Sequence, residues 1–141
     1  MAARLARQVE VGLSQVDLSV PQYRILMFLD EGAVVASKLA DHLAVSRPSV
    51  TAVVDGLVAR GLVERRHDEQ DRRRVGHVLT PDGARLLEAA DRAVDARLEE
   101  ISGYLDDDGG ASEAFGGLDR WRQALDGYRS AKVAARRTGA G

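Results

Sequence analysis

The clearest pattern along the chain is an apolar stripe between residues 46 and 60. Four aliphatic side chains recur at i, i+3, i+4 and i+7, the spacing of one buried helix face: Val50, Val53, Val54 and Leu57. The opposite face carries small or hydrogen-bonding side chains, with Arg47 at its edge: Pro48, Ser49, Thr51, Ala52 and Asp55. Such side chains suit a helix that approaches base edges in a DNA major groove about 12 Å wide. Ser46 is placed to cap this helix.

A polar hairpin is predicted directly after this helix. Gly61 suits the helix end because glycine tolerates a positive φ. Two short runs, Leu62–Arg66 and Val75–Leu79, are typical of β-strands. The turn between them, residues 67–74, ends in three consecutive arginines. A helix followed by an arginine-tipped hairpin predicts a surface that contacts DNA.

The segment upstream completes a helix-turn-helix. Pro21 opens a helical segment that Gly32 ends, and its apolar positions are Tyr23, Ile25, Leu26 and Leu29. Residues 37–43 form a shorter amphipathic segment, and residues 44–46 a turn. A short helix, a tight turn, a second helix and a hairpin predict a winged helix over residues 21–80. The predicted fold class is therefore mainly α with a small β-hairpin wing.

The segments 1–20 and 81–141 are predicted to be dimerisation helices that complete one compact domain. Thr80 can cap a helix that has Pro81 at its first position. The winged-helix segment is too small to bury three more amphipathic helices, so the expected partner is a second copy of the chain in a two-fold dimer. The residues assigned to dimerisation are Leu87, Val94, Leu98, Ile101, Leu105, Phe115, Leu118, Trp121 and Leu125.

Together these motifs resemble the MarR family of bacterial transcriptional regulators. The resemblance rests on LADHLAVSRPSVTAVVDGLVARGLVERR, DEQDRRR and LTPDG, and it extends over nearly the whole chain. Its most specific part is the wing, where the family has a D-R-R…LT..G pattern; the matching residues are Asp71, Arg72, Arg73, Leu79, Thr80 and Gly83.

The resemblance also implies roles for individual residues. The wing arginine that matches Arg73 is expected to enter the minor groove, next to Arg72 and Arg74, while Asp71 helps to hold the wing in shape. Many relatives carry a basic residue where this chain has Ala52. Base reading is therefore expected to rest on three side chains of the helix: Arg47, Ser49 and Thr51.

Charge and composition agree with this interpretation. The chain has 141 residues and a net charge of −2, but residues 38–74 hold 8 basic and 6 acidic side chains, against 3 and 9 in residues 82–108. The more basic segment is the one expected to face phosphates. No cysteine is present, which excludes disulfides and thiol switches. No apolar run approaches the roughly 20 residues that span a bilayer, so a bacterial cytoplasm is the expected location.

The sequence therefore predicts a sequence-specific regulator that binds double-stranded DNA. We expect a homodimer on a pseudo-palindromic operator, acting as a repressor that responds to a small-molecule effector. No residue pattern identifies the effector or its pocket, although Tyr23, Arg24 and Phe28 border the region where relatives bind one. No cofactor and no membrane contact are expected.

Three alternatives from other classes stay open at this point. A metal-sensing regulator of the same fold would need its histidines to converge, yet His42, His67 and His77 fall on a predicted helix, turn and strand. A winged-helix protein-interaction module would bind no DNA. An enzyme has the least support, because the chain has no glycine-rich phosphate loop and no serine or histidine in a nucleophile setting.

Overall fold

The computed structural model describes residues 1–32, 34–35, 39, 47–67, 75–105 and 109–138. Within these ranges the chain is mainly helical and carries a small β-sheet, as predicted. The elements in chain order are α1 (Ala2–Ser14), α2 (Val20–Asp30), β1 (Val34–Val35), α3 (Arg47–Ala59), β2 (Val63–His67), β3 (Val75–Leu79), α4 (Pro81–Ser102) and α5 (Gly110–Thr138). Of the short helix predicted over residues 37–43, the described residue is Leu39, which is helical and fully buried.

The sheet is antiparallel, with strand order β1-β3-β2. In the β2–β3 hairpin Val63 pairs with Leu79 and His67 with Val75. The prediction for β3 is confirmed to the residue, whereas β2 begins and ends one residue later than predicted. His67 therefore lies in the strand and not in the turn. The two-residue strand β1 was not predicted, because two valines are too few to show a period.

The start of α2 differs from the prediction by one residue. Ser19 is the N-cap, and its hydroxyl accepts a hydrogen bond from the backbone N–H of Gln22. In return, the Gln22 side chain accepts a hydrogen bond from the backbone N–H of Ser19 at 2.9 Å, which completes a capping box. The helix thus begins at Val20, and Pro21 occupies its first turn.

One hydrophobic core lies within the compact unit Met1–Leu98. Its buried residues come from α1 to α4 and from the base of the wing: Leu13, Leu18, Ile25, Leu26, Leu29, Leu39, Val50, Val54, Leu57, Leu62, Val63, Leu87 and Ala90. The helix α1 lies close to α4, since a Cβ on Gly12 would sit 3.1 Å from the Ala93 carbonyl oxygen. A side chain at position 12 would therefore have to displace the α4 backbone by a few tenths of an ångström.

This core changes the expectation for two flanking helices. The sequence predicts that a second subunit buries Leu87, but Leu87 is 6% exposed within its own chain, and Val94 packs against the same core. Leu13 of α1 is fully buried there too. The physical reason is that α1 and the first half of α4 pack directly on the winged-helix elements, so Leu13 and Leu87 are buried by their own chain.

The second compact unit, Glu99–Gly141, contains α5. One face of α5 carries large apolar side chains that are all exposed: Phe115 (37%), Leu118 (38%), Trp121 (69%), Leu125 (59%) and Tyr128 (64%). Their spacing of three and four residues puts them in a single stripe, as expected from the sequence. The boundary between the two units lies within α4, whereas the predicted segments were 1–20, 21–80 and 81–141.

Candidate nucleic-acid interface

The helix α3, called the reader helix from here on, has the two faces that the sequence predicts. Val50 and Val54 are 2% exposed and Leu57 is fully buried, while Val53 packs partly against the core. The opposite residues are all exposed: Pro48, Ser49, Thr51, Ala52 and Asp55. The reader helix is therefore anchored by one stripe and presents small or polar side chains on the other. Whether that face contacts DNA stays a prediction.

Several predicted site residues lie at the edge of the described residues or outside them. Arg47 is the first residue of the reader helix. Ser46, its predicted cap, and the predicted wing residues, Asp71, Arg72, Arg73 and Arg74, lie outside the described residues. Their assignment to DNA contact stays a prediction.

The carboxyl end of the reader helix is closed by a Schellman motif. Gly61 has a φ of +72°, the left-handed conformation that favours glycine. Its N–H donates to the Val58 carbonyl at 2.9 Å, and the Leu62 N–H donates to the Leu57 carbonyl at 3.0 Å, the two bonds that define this motif. The predicted role of Gly61 is confirmed, and the chain leaves the reader helix directly into the wing.

The base of the wing is held by Thr80 and Gly83. The Thr80 hydroxyl donates to the Gly61 carbonyl at 2.7 Å and accepts from the Gly83 N–H at 3.0 Å. The Thr80 N–H donates to the Leu62 carbonyl at 3.1 Å. A Cβ on Gly83 would overlap the Leu62 carbonyl oxygen, so only glycine fits there. Thr80 caps α4, as predicted, and it also joins both ends of the wing to the end of the reader helix.

An ion pair links the reader helix to the wing. Arg65, in the middle of β2, donates to the Asp55 carboxylate on the exposed face of the reader helix. Both side chains are about half exposed, 46% for Arg65 and 53% for Asp55. No local pattern in the sequence predicts a role for Arg65. The pair places a positive charge beside the carboxylate of Asp55 on this exposed face.

The outer face of β2 carries a second ion pair. Arg66 donates from Nε to the Glu64 carboxylate at 2.7 Å. Side chains alternate between the faces of a strand, so Glu64 and Arg66 point away from the face of Val63, which is 2% exposed. The strand thus contacts the core at Val63, its first residue, and its other residues are exposed.

The histidines do not form a cluster in the part of the chain that the structure describes. His67 is exposed on β2, and His77 is buried on β3. His42 lies outside the described residues. Among the described residues no group of three His, Cys, Asp or Glu side chains is arranged to hold a metal ion.

Tyr23 connects α2 to α4. Its hydroxyl donates to the Asp91 carboxylate at 2.6 Å. Burial raises the pKa of Tyr23 well above its usual value, and the hydrogen bond and negative charge of Asp91, together with the charge of Asp95, raise this pKa further. The phenol therefore stays neutral and acts as a donor at physiological pH.

Known proteins are similar to this chain in sequence and in fold. Residues 16–74 match the family model of the MarR family. The chain therefore resembles the MarR family over this segment, as its motifs predict. Among curated proteins of this kind, the HTH-type transcriptional regulator FarR of Neisseria gonorrhoeae is 35% identical over 94 residues, which make up 66% of this chain and 64% of FarR. The multiple antibiotic resistance protein MarR of Salmonella typhimurium is 32% identical over 77 residues, 54% of each chain. The matched part is thus less than two thirds of these relatives' own lengths.

Solved structures of MarR-family proteins have the same fold. Wild-type MarR from E. coli in its apo form superposes with a TM-score of 0.72 at 25% identity, covering 84% of this chain and 88% of that one. A mutant of E. coli MarR complexed with operator DNA superposes with a TM-score of 0.65 at 25% identity, covering 84% and 86%. Like these MarR-family structures, the chain is a winged helix with additional helices. None of its described helices combines the length and apolar character needed to span a membrane.

Proposed function

We propose that this protein is a transcriptional regulator that binds double-stranded DNA through the reader helix and the wing. The observation that carries the proposal is the reader helix itself, whose buried stripe fixes it in the core while its small polar face is exposed beside the wing. The likeness to a MarR protein complexed with operator DNA supports this use of the two elements. We propose that the protein acts in a bacterial cytoplasm, which a DNA-binding role supports, and that it is not an enzyme.

In this proposal the residues of the interface divide into two groups. The reader helix enters a major groove, and the residues proposed to line that contact are Ser46, Arg47, Pro48, Ser49, Thr51, Ala52 and Asp55. The wing reaches the flanking minor groove, with Asp71, Arg72, Arg73 and Arg74 proposed at its tip. Asp55 is paired with Arg65, so a positive charge accompanies its carboxylate at this proposed surface.

The direct test is binding to a duplex that the wild-type protein selects from a randomised pool. Thr51→Ala should weaken binding to the selected duplex by about 1–3 kcal/mol if Thr51 reads a base, and change binding to a scrambled duplex much less. Arg122→Ala, an exposed arginine of α5, is the control variant. Equal losses on both duplexes would assign Thr51 to the phosphate backbone, and absence of any selected duplex would remove the proposal.

The wing is tested separately by its dependence on salt. Arg73→Ala should weaken binding to selected and scrambled duplexes alike. If one phosphate contact is lost, the negative slope of log affinity against log salt should become shallower by about one unit. Anisotropy titrations at several salt concentrations give this slope. An unchanged affinity and slope would exclude Arg73 from the interface.

We also propose that the regulator acts as a homodimer, because α5 exposes an apolar stripe along its length. A stripe that includes Trp121 at 69% and Leu125 at 59% exposure suits burial against an identical helix from a second copy. With α4 beyond Leu98, these residues are proposed as the dimer interface: Leu98, Ile101, Leu105, Phe115, Leu118, Trp121 and Leu125. Sedimentation at micromolar concentration should give twice the chain mass, and a folded monomer would contradict the dimer.

Control by a small molecule is the remaining part of the proposal. A repressor whose affinity for DNA falls when an effector binds must, by linkage, bind that effector less tightly when it is on DNA. Screening compounds for loss of binding to the selected duplex would identify it. Stoichiometric metal after dialysis would instead favour a metal sensor, and a fold that binds no duplex at low salt would favour a protein-interaction module.

A further inference from the structure

At the base of the wing, Thr80 makes more contacts with the backbone of other segments than its capping role requires. Thr80 caps α4 through Gly83, as a helix N-cap does. Its hydroxyl also donates to the Gly61 carbonyl at 2.7 Å, across 19 positions of sequence. Its backbone N–H donates to the Leu62 carbonyl at 3.1 Å. One residue therefore joins the end of the reader helix, both ends of the wing and the start of α4.

The neighbouring glycines make this junction tight. Gly61 ends the reader helix with a φ of +72°. The Thr80 hydroxyl binds the carbonyl oxygen of this same glycine. Gly83 has no side chain where a Cβ would overlap the Leu62 carbonyl oxygen. The start of α4 therefore approaches the wing base more closely than any other residue type would allow. Bonds at such a junction fix directions as well as distances.

The geometry of the wing makes its base sensitive to small rotations. β2 runs from Val63 to His67, so its far end lies roughly 13 Å from its start at about 3.3 Å per residue. A rotation of about 10° at the base would displace that end by roughly 2 Å, which is enough to break a hydrogen bond whose length varies by only a few tenths of an ångström. A wing held loosely at its base could not keep a fixed position relative to the reader helix.

We propose that Thr80 is a positioning residue for DNA recognition: its hydroxyl ties the base of the wing to the carboxyl end of the reader helix, so that the two elements reach adjacent grooves together. The inference rests on the proposed function. A selected duplex needs both contacts at once, whereas a scrambled duplex is held mainly by phosphates. Loss of the tie should therefore reduce discrimination between duplexes more than it reduces overall affinity.

The experiment compares four chains by the ratio of their affinities for the selected and the scrambled duplex. Thr80→Val removes the hydroxyl at nearly constant volume, and Thr80→Ser keeps it. Ser19→Ala is the matched control, because it removes a helix N-cap of the same winged helix and so carries a comparable loss of stability. Urea unfolding of each chain gives its stability, and binding is measured where every variant is fully folded.

We expect Thr80→Val to lower the affinity ratio about tenfold, the value of one good base contact. The ratios of Thr80→Ser and Ser19→Ala should stay within about twofold of the wild-type ratio. A ratio that falls equally in Ser19→Ala would show that lost stability is the cause, and this result would overturn the proposal. So would an unchanged ratio in Thr80→Val. A wild-type protein that selects no duplex would instead defeat the proposed function itself.

A further variant covers the case in which Thr80→Val does not fold. Thr80→Asp keeps an N-cap acceptor for the Gly83 N–H and a favourable charge at the helix start, but a carboxylate cannot donate to the Gly61 carbonyl. The proposal expects Thr80→Asp to fold and to discriminate about tenfold less than wild type, when both are compared at the same salt concentration. Discrimination equal to wild type would show that the bond to Gly61 is not needed.

Discussion

The unit Met1–Leu98 and the helix α5 have apolar stripes of the same spacing but opposite burial. In the first, Leu26 of α2 and Leu57 of the reader helix are fully buried. In α5, Trp121 and Leu125 are 69% and 59% exposed. The difference shows that a helical period identifies which face will be buried, but not whether the same chain buries it. The apolar stripes of unit Met1–Leu98 are buried by other residues of that unit. The stripe of α5 is left exposed by the described residues of Glu99–Gly141.

Leucine truncation should separate the two regions most strongly. Leu26→Ala should cost about 2–5 kcal/mol of unfolding free energy, because it leaves a cavity in a closed core. The matched variant Leu125→Ala should stay within about 0.5 kcal/mol for the monomeric chain, as exposed substitutions do. Urea unfolding of both variants at two protein concentrations roughly a hundredfold apart measures this.

The same pair also tests the proposed dimer. If α5 pairs with a second copy, the wild-type midpoint should rise with protein concentration, and Leu125→Ala should reduce that rise while Leu26→Ala preserves it. The two regions would not differ in burial if Leu125→Ala lost as much unfolding free energy as Leu26→Ala and this loss did not depend on protein concentration.

Replacing a glycine by alanine should also distinguish the two regions, because the change in stability should have opposite signs in them. Gly83→Ala should destabilise the protein by about 1–3 kcal/mol, because the new Cβ overlaps the Leu62 carbonyl and the wing base must shift. Gly116→Ala, in α5 with open space around it, should stabilise by up to about 1 kcal/mol through helix propensity. Thermal unfolding of both variants gives the two signs. A stabilised Gly83→Ala chain would show that α4 does not pack tightly on the wing.

Much of this arrangement could be predicted from local sequence. The stripe of the reader helix, the helix end at Gly61, the strand Val75–Leu79 and the cap at Thr80 are each specified by residues within a few positions of one another. The capping box of Ser19 and Gln22 has a local signature as well, but the prediction began the helix at Pro21 and missed it. Local signals of this kind require no knowledge of packing.

The features that could not be predicted depend on contacts between distant segments. Arg65 finds Asp55 only because β2 packs beside the reader helix. The need for glycine at position 83 comes from the Leu62 carbonyl, 21 positions away. Leu87 has the same apolar character as the α5 residues, and only the fold shows that its own chain buries it. The spacing of apolar residues along a helix does not indicate which distant residues will contact it.

The smallest predicted effect concerns polar contacts in the two units. Tyr23→Phe removes the hydrogen bond to Asp91 and should cost about 1 kcal/mol at neutral pH. The control Tyr104→Phe alters a side chain that is 84% exposed and should change stability by less than about 0.5 kcal/mol. Urea unfolding at neutral pH compares the two.

The raised pKa of Tyr23 also predicts the direction in which its contribution to stability changes with pH. Its pKa is raised in the folded chain, whereas in the unfolded chain it titrates near its ordinary value of about 10. The unfolded state therefore loses its proton first, so the stabilising contribution of Tyr23 is complete below pH 10 or so and declines as the pH rises beyond that value. The difference between wild type and Tyr23→Phe should shrink in alkaline solution. A difference that stays constant from neutral pH to about pH 11 would mean that the buried phenol does not retain its proton, and α2 would then be joined to α4 by apolar packing alone.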